Sequence, residues 1–510
     1  MRFNCHSRRA TRRSDHSFDF RRSDSLNNRH ERRQRTVFHC PRFPMQPNPF
    51  AQLIGIDLSL ERYACHRCAR PKTQLNQTPV GHRLVIAFPI APDTHYSQWK
   101  AVNINIVSDH GLRPQSVCGR KPAKTHPTKL GRRFSVAYDV TARAEIPGMP
   151  GVRYTAGIDI PEFTEAAFEA LRRERDYLAR QGHKGPMPPA VFVAISGGGD
   201  NGAFAAGLLN AWTATGTRPE FKLVTGISTG ALIAPFAFLG PKYDGTLKEV
   251  YTTISPKDVL EPRSFLAGVL SDGMADNAPL LRLTRKSVTE AFLKEIAAEY
   301  AKGRMLLVAT ADLDARRAII WDMGKIASYG GPKALDLFVK VMVASASIPG
   351  GFPPMMVDVV VDGKPYQEMH VDGGIVAQVF AYPAGIRIND EAASVGVKRE
   401  RKLYVIRNAR LDADWAQVER STMSIASRAV ASLIQSQGIG DLYRIYATAE
   451  RDGVDFNLAF IPASFKAPHK EEFDTDYMRA LYDTGYNMAS KGYPWAKAPP
   501  GFALPAAITK

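Results

Sequence analysis

The residues best suited to chemistry in this sequence form a Gly-x-Ser-x-Gly motif, Gly226-Ile227-Ser228-Thr229-Gly230. Residues 221–225 before it are predicted to form a strand, and residues 229–239 after it a helix. The flanking glycines permit a sharp strand-to-helix turn that pushes the Ser228 hydroxyl out of a sheet. Ser228 is therefore the predicted nucleophile.

A second glycine-rich turn, Ser196-Gly-Gly-Gly-Asp-Asn-Gly202, follows the apolar run 191–195 and precedes a helix of small residues. Three consecutive glycines leave backbone N–H groups open to a ligand, and the start of the helix adds its positive end. The turn is predicted to bind an anion, either a phosphate or the oxyanion that develops during a reaction. A tight turn with no ligand remains the structural alternative.

Two nucleotide-binding motifs are poorer explanations of this turn. Gly197-x-Gly199-x-x-Gly202 matches a dinucleotide fingerprint, but that fingerprint needs an acid at the end of the next strand, and Glu220 precedes the strand. No Gly-Lys-Ser/Thr follows, as a phosphate-binding P-loop would require.

A serine nucleophile needs a base, and Asp372 is the strongest candidate. The only histidines in residues 151–510 are His183, His370 and His469, and none follows the motifs in a convincing position for a triad. Asp372 begins Asp-Gly-Gly, so two glycines leave its carboxylate open to a neighbour. A carboxylate whose pKa is raised by burial can deprotonate serine directly. A plain turn is the alternative for this tripeptide.

These motifs, with Ser345-Ala-Ser-Ile-Pro-Gly-Gly-Phe-Pro-Pro354, resemble those of the patatin-like phospholipases in order and spacing. The resemblance is firm over residues 188–380 and looser to about residue 500. It implies a three-layer α/β/α sandwich around a central, mostly parallel sheet. It also implies a Ser–Asp dyad without histidine, in which Ser228 attacks through an acyl-enzyme and Asp372 is the base.

The family pattern further assigns the oxyanion hole to backbone N–H groups of Gly197, Gly198 and Gly199, chiefly the last two. The remaining motif glycines are Gly202, Gly226, Gly230, Gly373 and Gly374. The implied activity is acyl hydrolysis of phospholipids, lysophospholipids or other acyl-ester lipids at a peripheral membrane surface, without cofactor or metal. The family usually carries Arg or Lys where Asn201 stands, which puts a preference for phosphate headgroups in doubt.

Charge divides the chain into dissimilar parts. Residues 1–150 hold 26 Lys+Arg against 10 Asp+Glu, whereas residues 151–510 hold 41 against 40, so the formal net charge of +17 belongs almost wholly to the first part. All five Cys lie there too. The 510 residues are 45% hydrophobic and 23% charged, which excludes a collagen-like or wholly disordered chain.

The sequence predicts three regions. Residues 1–150 are expected to be mostly disordered, residues 151–187 to form an amphipathic helix and linker, and residues 188–500 to form the catalytic domain. The Arg-rich start suggests an arm for RNA or anionic lipid, although a solvated tail or sequence translated upstream of the true start are alternatives. Cys65-His-Arg-Cys68 is half of a zinc site, and no further ligand spacing completes it.

The predicted function has one alternative, and the location is not defined by the sequence. The alternative to a lipid acyl hydrolase is a protein that binds anionic membranes or nucleic acid through its Arg-rich arm, with a non-catalytic patatin-like domain; no nucleic acid is expected for the catalytic domain itself. The longest apolar candidate, residues 231–239, falls short of the ~18 residues needed to cross a bilayer. Met1 is followed by no apolar core of a signal peptide, so the compartment stays undefined.

Overall fold

The computed structural model describes residues 83–89, 99–105, 134–262 and 272–502. The first two strands, β1 (Arg83–Pro89) and β2 (Trp99–Asn105), pair antiparallel with each other. Two predictions fall on residues outside the described part of the chain: the disorder of most of the N-terminal region, and the half zinc site at Cys65 and Cys68.

The centre of the fold is a nine-stranded sheet. Five neighbouring strands, β8, β5, β4, β12 and β13, run parallel, and the other four pair antiparallel at one side. A separate pair of short strands completes the described set. The strands are β3 (Arg153–Thr155), β4 (Ala190–Ile195), β5 (Leu223–Gly226), β6 (Glu261–Pro262), β7 (Ala275–Asp276), β8 (Met305–Asp312), β9 (Arg317–Asp322), β10 (Met355–Val361), β11 (Lys364–Asp372), β12 (Arg401–Arg407) and β13 (Asp455–Phe460).

Strand β8 pairs with three strands. One of its edges pairs with β9, and the other edge, which we call the divided edge, pairs with β5 and β11 in turn. On the divided edge, residues 305–308 pair with β5, and residues 310–312 pair with the end of β11. The carboxyl ends of β5 and β11 therefore meet beside the same strand, although β11 follows β5 by more than a hundred residues of sequence.

Helices cover both faces of the sheet. One face carries α2 to α9 and α12, and the other carries α1, α10 and the second half of α11. The three-layer α/β/α sandwich expected from the resemblance is confirmed. The helices are α1 (Ile160–Arg180), α2 (Gly202–Ala214), α3 (Thr229–Leu239), α4 (Asp244–Thr253), α5 (Pro256–Val259), α6 (Ala278–Ser287), α7 (Glu290–Ala301), α8 (Met323–Tyr329), α9 (Gly331–Ser345), α10 (Ile388–Ser394), α11 (Thr422–Arg451) and α12 (Thr475–Ser490).

Strand β4 shows why this sequence needs both layers. Its side chains alternate between the two cores: Val193 and Ile195 enter one, and Phe192 and Ala194 enter the other. Successive side chains of a strand point to opposite faces, so a continuous apolar run is stable only when both faces are covered. The residues that follow such a strand emerge at the carboxyl edge, where the two glycine-rich turns lie.

The segment before residue 150 packs with the sheet. Ile146 and Met149 are buried in the main core, and Glu145 forms a β-bridge with Val360. The boundary placed at residue 150 from composition therefore falls inside this compact unit. Within the described residues, no helix is long and apolar enough to cross a membrane.

Candidate active site

Ser228 occupies a strained turn between β5 and α3. Its φ of 56° and ψ of −127° lie where residues other than glycine are rare. The turn closes only because Gly226 and Gly230, two positions before and after Ser228, lack side chains. A Cβ at Gly226 would lie 2.3 Å from the Gly230 carbonyl oxygen, and one at Gly230 would lie 2.2 Å from that of Ile195.

The serine and the aspartate meet at the divided edge of β8. Ser228 Oγ donates a hydrogen bond of 2.6 Å to Asp372 Oδ2, and both residues are almost fully buried. The other carboxylate oxygen, Oδ1, accepts from the Gly374 N–H at 2.7 Å. Gly373 allows the close approach, since a Cβ there would lie 2.5 Å from the Ala309 carbonyl oxygen. The two oxygens of Asp372 are thus oriented by different partners.

Burial sets the acidity of this carboxyl group. Desolvation raises the pKa of Asp372 to about 7, against the lowering effect of the hydrogen bonds from Ser228 and Gly374. A carboxylate with a pKa near neutrality is a far better proton acceptor than an exposed one, and it is still ionised in a useful fraction at neutral pH.

Ser345 supports the strained turn from below. Its Oγ accepts from the Ser228 N–H at 3.0 Å and donates to the Ala309 carbonyl at 2.7 Å. Ser345 is fully buried at the end of α9. In the sequence, Ser345 begins one of the motif blocks, but nothing there indicates this role.

The three candidate oxyanion glycines differ in the structure. The Gly197 N–H already donates to the Gln378 carbonyl at 3.0 Å, so it is occupied in this conformation. Gly198 and Gly199 have φ of 150° and 57°, and no hydrogen bond from either N–H is found to the described residues. Of the three candidate glycines, these two therefore have N–H groups that are available as donors.

Asn408, directly after β12, fixes the glycine loop. Its Nδ2 donates to the Ser196 carbonyl at 3.0 Å, and its N–H donates to Ser196 Oγ at 2.8 Å. Its Oδ1 accepts from the Ala205 N–H at the start of α2. No motif marks this fully buried asparagine in the sequence.

Gln378 joins the glycine loop to the aspartate turn. Its carbonyl accepts from Gly197, and its Nε2 donates to the Gly374 carbonyl at 2.5 Å and to Gln437 Oε1 at 3.1 Å. Its own N–H donates to Asp441 Oδ2 on α11 at 2.6 Å. One residue thus holds both halves of the site against α11, a contact that the sequence did not reveal.

The histidines are engaged elsewhere. Both ring nitrogens of buried His370 are hydrogen-bonded, Nδ1 with Thr310 Oγ1 at 2.9 Å and Nε2 with Glu368 Oε2 at 3.0 Å. His183 Nε2 lies 2.9 Å from the Pro186 carbonyl in an exposed connector. Neither is bonded to the serine or to Asp372.

His469 contacts the glycine loop from the outside. Its Nε2 lies 2.7 Å from Oδ2 of buried Asp200, and its ring lies 4.3 Å from that of Tyr477. Tyr477 Oη in turn donates to Asn201 Oδ1 at 2.6 Å. The residue that replaces the expected basic side chain is therefore held by the first turn of α12.

The described residues contain no group of three or more His, Cys, Asp or Glu side chains placed to bind a metal ion. What the arrangement offers is a buried hydroxyl beside a carboxylate, close to a loop with two available amide donors. These are the parts required for nucleophilic attack on a carbonyl.

Comparison with known proteins agrees with this chemistry. Residues 193–384, which include both Ser228 and Asp372, match the family described as patatin-like phospholipase. A search of curated proteins found no match to the chain.

Two solved structures are similar to the chain at low identity. VipD from Legionella pneumophila is 12% identical with a TM-score of 0.31, over 60% of this chain and 67% of that one. Human GIVD cytosolic phospholipase A2 is 10% identical with a TM-score of 0.33, over 67% of each chain.

Proposed function

Residues 193–384 form a patatin-like phospholipase domain, and from this premise we propose that the protein is a serine lipid acyl hydrolase. The substrate class is an acyl ester of a lipid, such as a phospholipid or lysophospholipid. The observation that carries the proposal is the 2.6 Å hydrogen bond from Ser228 Oγ to Asp372 Oδ2.

In the first step, Asp372 accepts the proton of Ser228 as Oγ attacks the ester carbonyl. Because Oδ1 is held by the Gly374 N–H, Oδ2 stays directed at the serine. The strained backbone of Ser228, held by Ser345, keeps Oγ at the carboxyl edge of the sheet. Positioning of this kind avoids the entropy loss of bringing the groups together.

The negative charge that develops on the carbonyl oxygen needs fixed donors. The N–H groups of Gly198 and Gly199 are the candidates, and one such donor typically contributes ~10²–10³ in rate. The loop is held on both sides, by Asn408 from β12 and by Gln378 from the aspartate turn. Fixed donors spare the reorganisation that water would require.

Release of product follows from the same pair. Asp372, protonated in the first step, returns the proton to the leaving alcohol or lysolipid oxygen as the C–O bond breaks. A water molecule then gives a proton to Asp372 as its oxygen attacks the acyl-enzyme carbonyl. Asp372 returns that proton to Ser228 Oγ as the acyl C–Oγ bond breaks, which releases the fatty acid and restores both residues. The same carboxyl group therefore acts as base and then acid in acylation, and as base and then acid again in deacylation.

A fluorophosphonate probe tests this proposal directly. The probe should form a covalent bond to Ser228, identified by mass spectrometry of the digested protein. Ser228→Ala should abolish labelling and hydrolysis of p-nitrophenyl butyrate, and Asp372→Asn should slow both by at least ~10³. Ser328→Ala, at an exposed hydroxyl, should leave both unchanged. Labelling that persists in Ser228→Ala, or full activity in Asp372→Asn, would contradict the proposal.

A further inference from the structure

The amino-terminal half of α11 exposes large apolar side chains. Met423 is 72% exposed, Leu433 70%, Val430 55% and Ile434 44%. Soluble monomers rarely present such clusters without a partner. We call these four residues the α11 stripe.

The α11 stripe lies on the helix face that reaches the candidate site. Val430 and Leu433 precede Gln437 by seven and four residues, so the three share one face of the helix. Gln437 Oε1 accepts from Gln378 Nε2, which also donates to the Gly374 carbonyl. The apolar surface therefore begins about one helical turn from the hydrogen bonds that hold the Asp372 turn.

Two further apolar side chains are exposed beside the dyad. Ile375 is 45% exposed and follows the Asp372-Gly-Gly turn directly. Ile348 is 47% exposed and adjoins Ser347, whose carbonyl accepts the Asp372 N–H at 2.9 Å. Apolar exposure thus extends to residues within a few positions of the reacting groups.

The amino-terminal half of α11 itself is almost without charge. Residues 421–440 contain a single charged residue, Arg428, and its guanidinium is paired with Asp414 at 3.0 Å. A partner recognised by charge would find little to bind here. An apolar partner surface that is not strongly charged fits it better.

We propose that the α11 stripe inserts into the surface of a zwitterionic lipid bilayer and brings the candidate site close to it. This rests on the proposed function, because a lipid ester is reached from its bilayer. An interfacial helix binds by burying its apolar face at the boundary between headgroups and acyl chains. Docking therefore depends on the stripe and not on the Arg-rich N-terminal region.

The test is co-sedimentation of the full chain with vesicles of diether phosphatidylcholine, a lipid with no ester to hydrolyse. Wild-type protein should bind, and binding should persist in 0.5 M NaCl because burial of apolar surface is not screened by salt. Val430→Asp/Leu433→Asp should lower the partition coefficient by about tenfold or more, since both methyl-bearing side chains leave the interface. Both residues are exposed, so circular dichroism and the thermal midpoint should stay those of wild type.

Val395→Asp is the matched control. Val395 is 38% exposed and precedes the amino-terminal start of β12, at the edge of the sheet opposite the site, so binding should not change. Equal binding by the double variant, or binding lost in 0.5 M NaCl, would overturn the proposal; the second result would assign docking to basic residues. If the wild type formed a dimer and did not bind vesicles, and the double variant were monomeric, the stripe would be a contact with a second copy of the chain.

Hydrolysis of p-nitrophenyl butyrate, a soluble ester, separates this inference from the proposed function. Failure of that reaction with intact vesicle binding rejects the hydrolase and leaves the docking surface. Hydrolysis without vesicle binding rejects the docking surface alone.

Discussion

The carbonyl oxygen of Asn408 occupies the space that a side chain on residue 198 would need. A Cβ at Gly198 would lie 2.3 Å from that oxygen and 2.8 Å from the Asn408 Cβ. Asn408 is itself fixed by two hydrogen bonds to Ser196, so it is not free to move aside. The position of the glycine loop, and with it the Gly198 N–H, is therefore set by a residue that follows β12.

Gly198→Ala should displace the oxyanion loop. With a backbone oxygen in the way and φ at 150°, the loop must shift, and loss of one aligned donor should lower kcat by ~10²–10³. Gly216→Ala is the control: its φ is also positive, at 71°, but no atom lies within 4 Å of its Cβ position. That variant should lose about 1–2 kcal/mol of stability without losing activity. Wild-type kcat in Gly198→Ala would contradict the role of the loop.

Ser345→Ala should weaken both the site and the fold. The Ser228 N–H would lose its buried acceptor, at a cost of about 1–3 kcal/mol in unfolding free energy, and kcat should fall by about tenfold as the strained turn relaxes. Urea unfolding and hydrolysis of a soluble ester measure the two effects.

Ser347→Ala provides the comparison for that variant. Ser347 is equally buried, but its hydroxyl donates only to the Val343 carbonyl, which also accepts the Ala346 N–H. It should therefore change kcat little. Equal kinetics in the two variants would argue against the support that Ser345 gives to Ser228.

The sequence predicts the residues that lie in local motifs better than the residues that hold those motifs in place. Ser228 and Asp372 can be predicted from the sequence as the reacting pair because each lies in a short glycine-flanked motif whose geometry is local. Their meeting depends on β11 sharing an edge of β8 with β5, which no local pattern encodes. Asn408 and Tyr477 act through contacts with residues more than two hundred positions away.

Two elements of the fold show the same contrast between local signal and distant contact. The amphipathic helix expected within residues 151–187 is α1, Ile160–Arg180, because a 21-residue amphipathic helix carries its own periodic signal. The three-residue strand β3 has no such signal, and only pairing with β9 makes it a strand. The boundary that composition predicts at residue 150 lies within packed structure, since Ile146 and Met149 are buried in the main core.

Tyr477→Phe should loosen the outer side of the glycine loop. Burial raises the pKa of Tyr477 to about 12, so its hydroxyl stays protonated and donates to Asn201 at 2.6 Å. Its loss should slow inactivation by a fluorophosphonate about threefold to tenfold, with a stability change of about 1 kcal/mol. The inactivation rate is informative because it reports the oxyanion loop directly.

Tyr482→Phe is the control on the same helix. The Tyr482 hydroxyl accepts from Asn210 Nδ2 at 2.9 Å, away from the glycine loop. Its removal should cost similar stability and leave the inactivation rate unchanged. Similar slowing in both variants would mean that α12 acts only through overall stability.

The pH dependence of hydrolysis should follow Asp372. The carboxylate must be ionised to accept the serine proton, and burial raises its pKa to about 7. The value of kcat/KM should therefore rise with pH, change by about tenfold per unit below pH ~6 and level off above pH ~8. Initial rates with p-nitrophenyl butyrate from pH 5 to 9 give the profile. A flat profile over this range would exclude a base with a raised pKa.

Asp372→Asn should make the folded protein more stable at alkaline pH. The carboxyl group ionises near pH ~4 in the unfolded chain but near pH 7 when folded, so the wild type loses stability as pH rises between these values. Asparagine avoids this loss, because its amide can accept from the Gly374 N–H and donate to Ser228 Oγ while remaining neutral. At pH 8 the gain should be up to about 4 kcal/mol, and it should shrink toward pH 4.

Urea unfolding of wild type and Asp372→Asn at pH 8 and pH 5 measures this difference. Asp258→Asn is a control of opposite sign: hydrogen bonds from Ser255 lower the pKa of Asp258, so its ionised form stabilises the fold and the variant should be slightly less stable at pH 8. If Asp372→Asn were no more stable than wild type at pH 8, the buried charge would not be costly. Its raised pKa, and the basicity that the mechanism draws from it, would then be wrong.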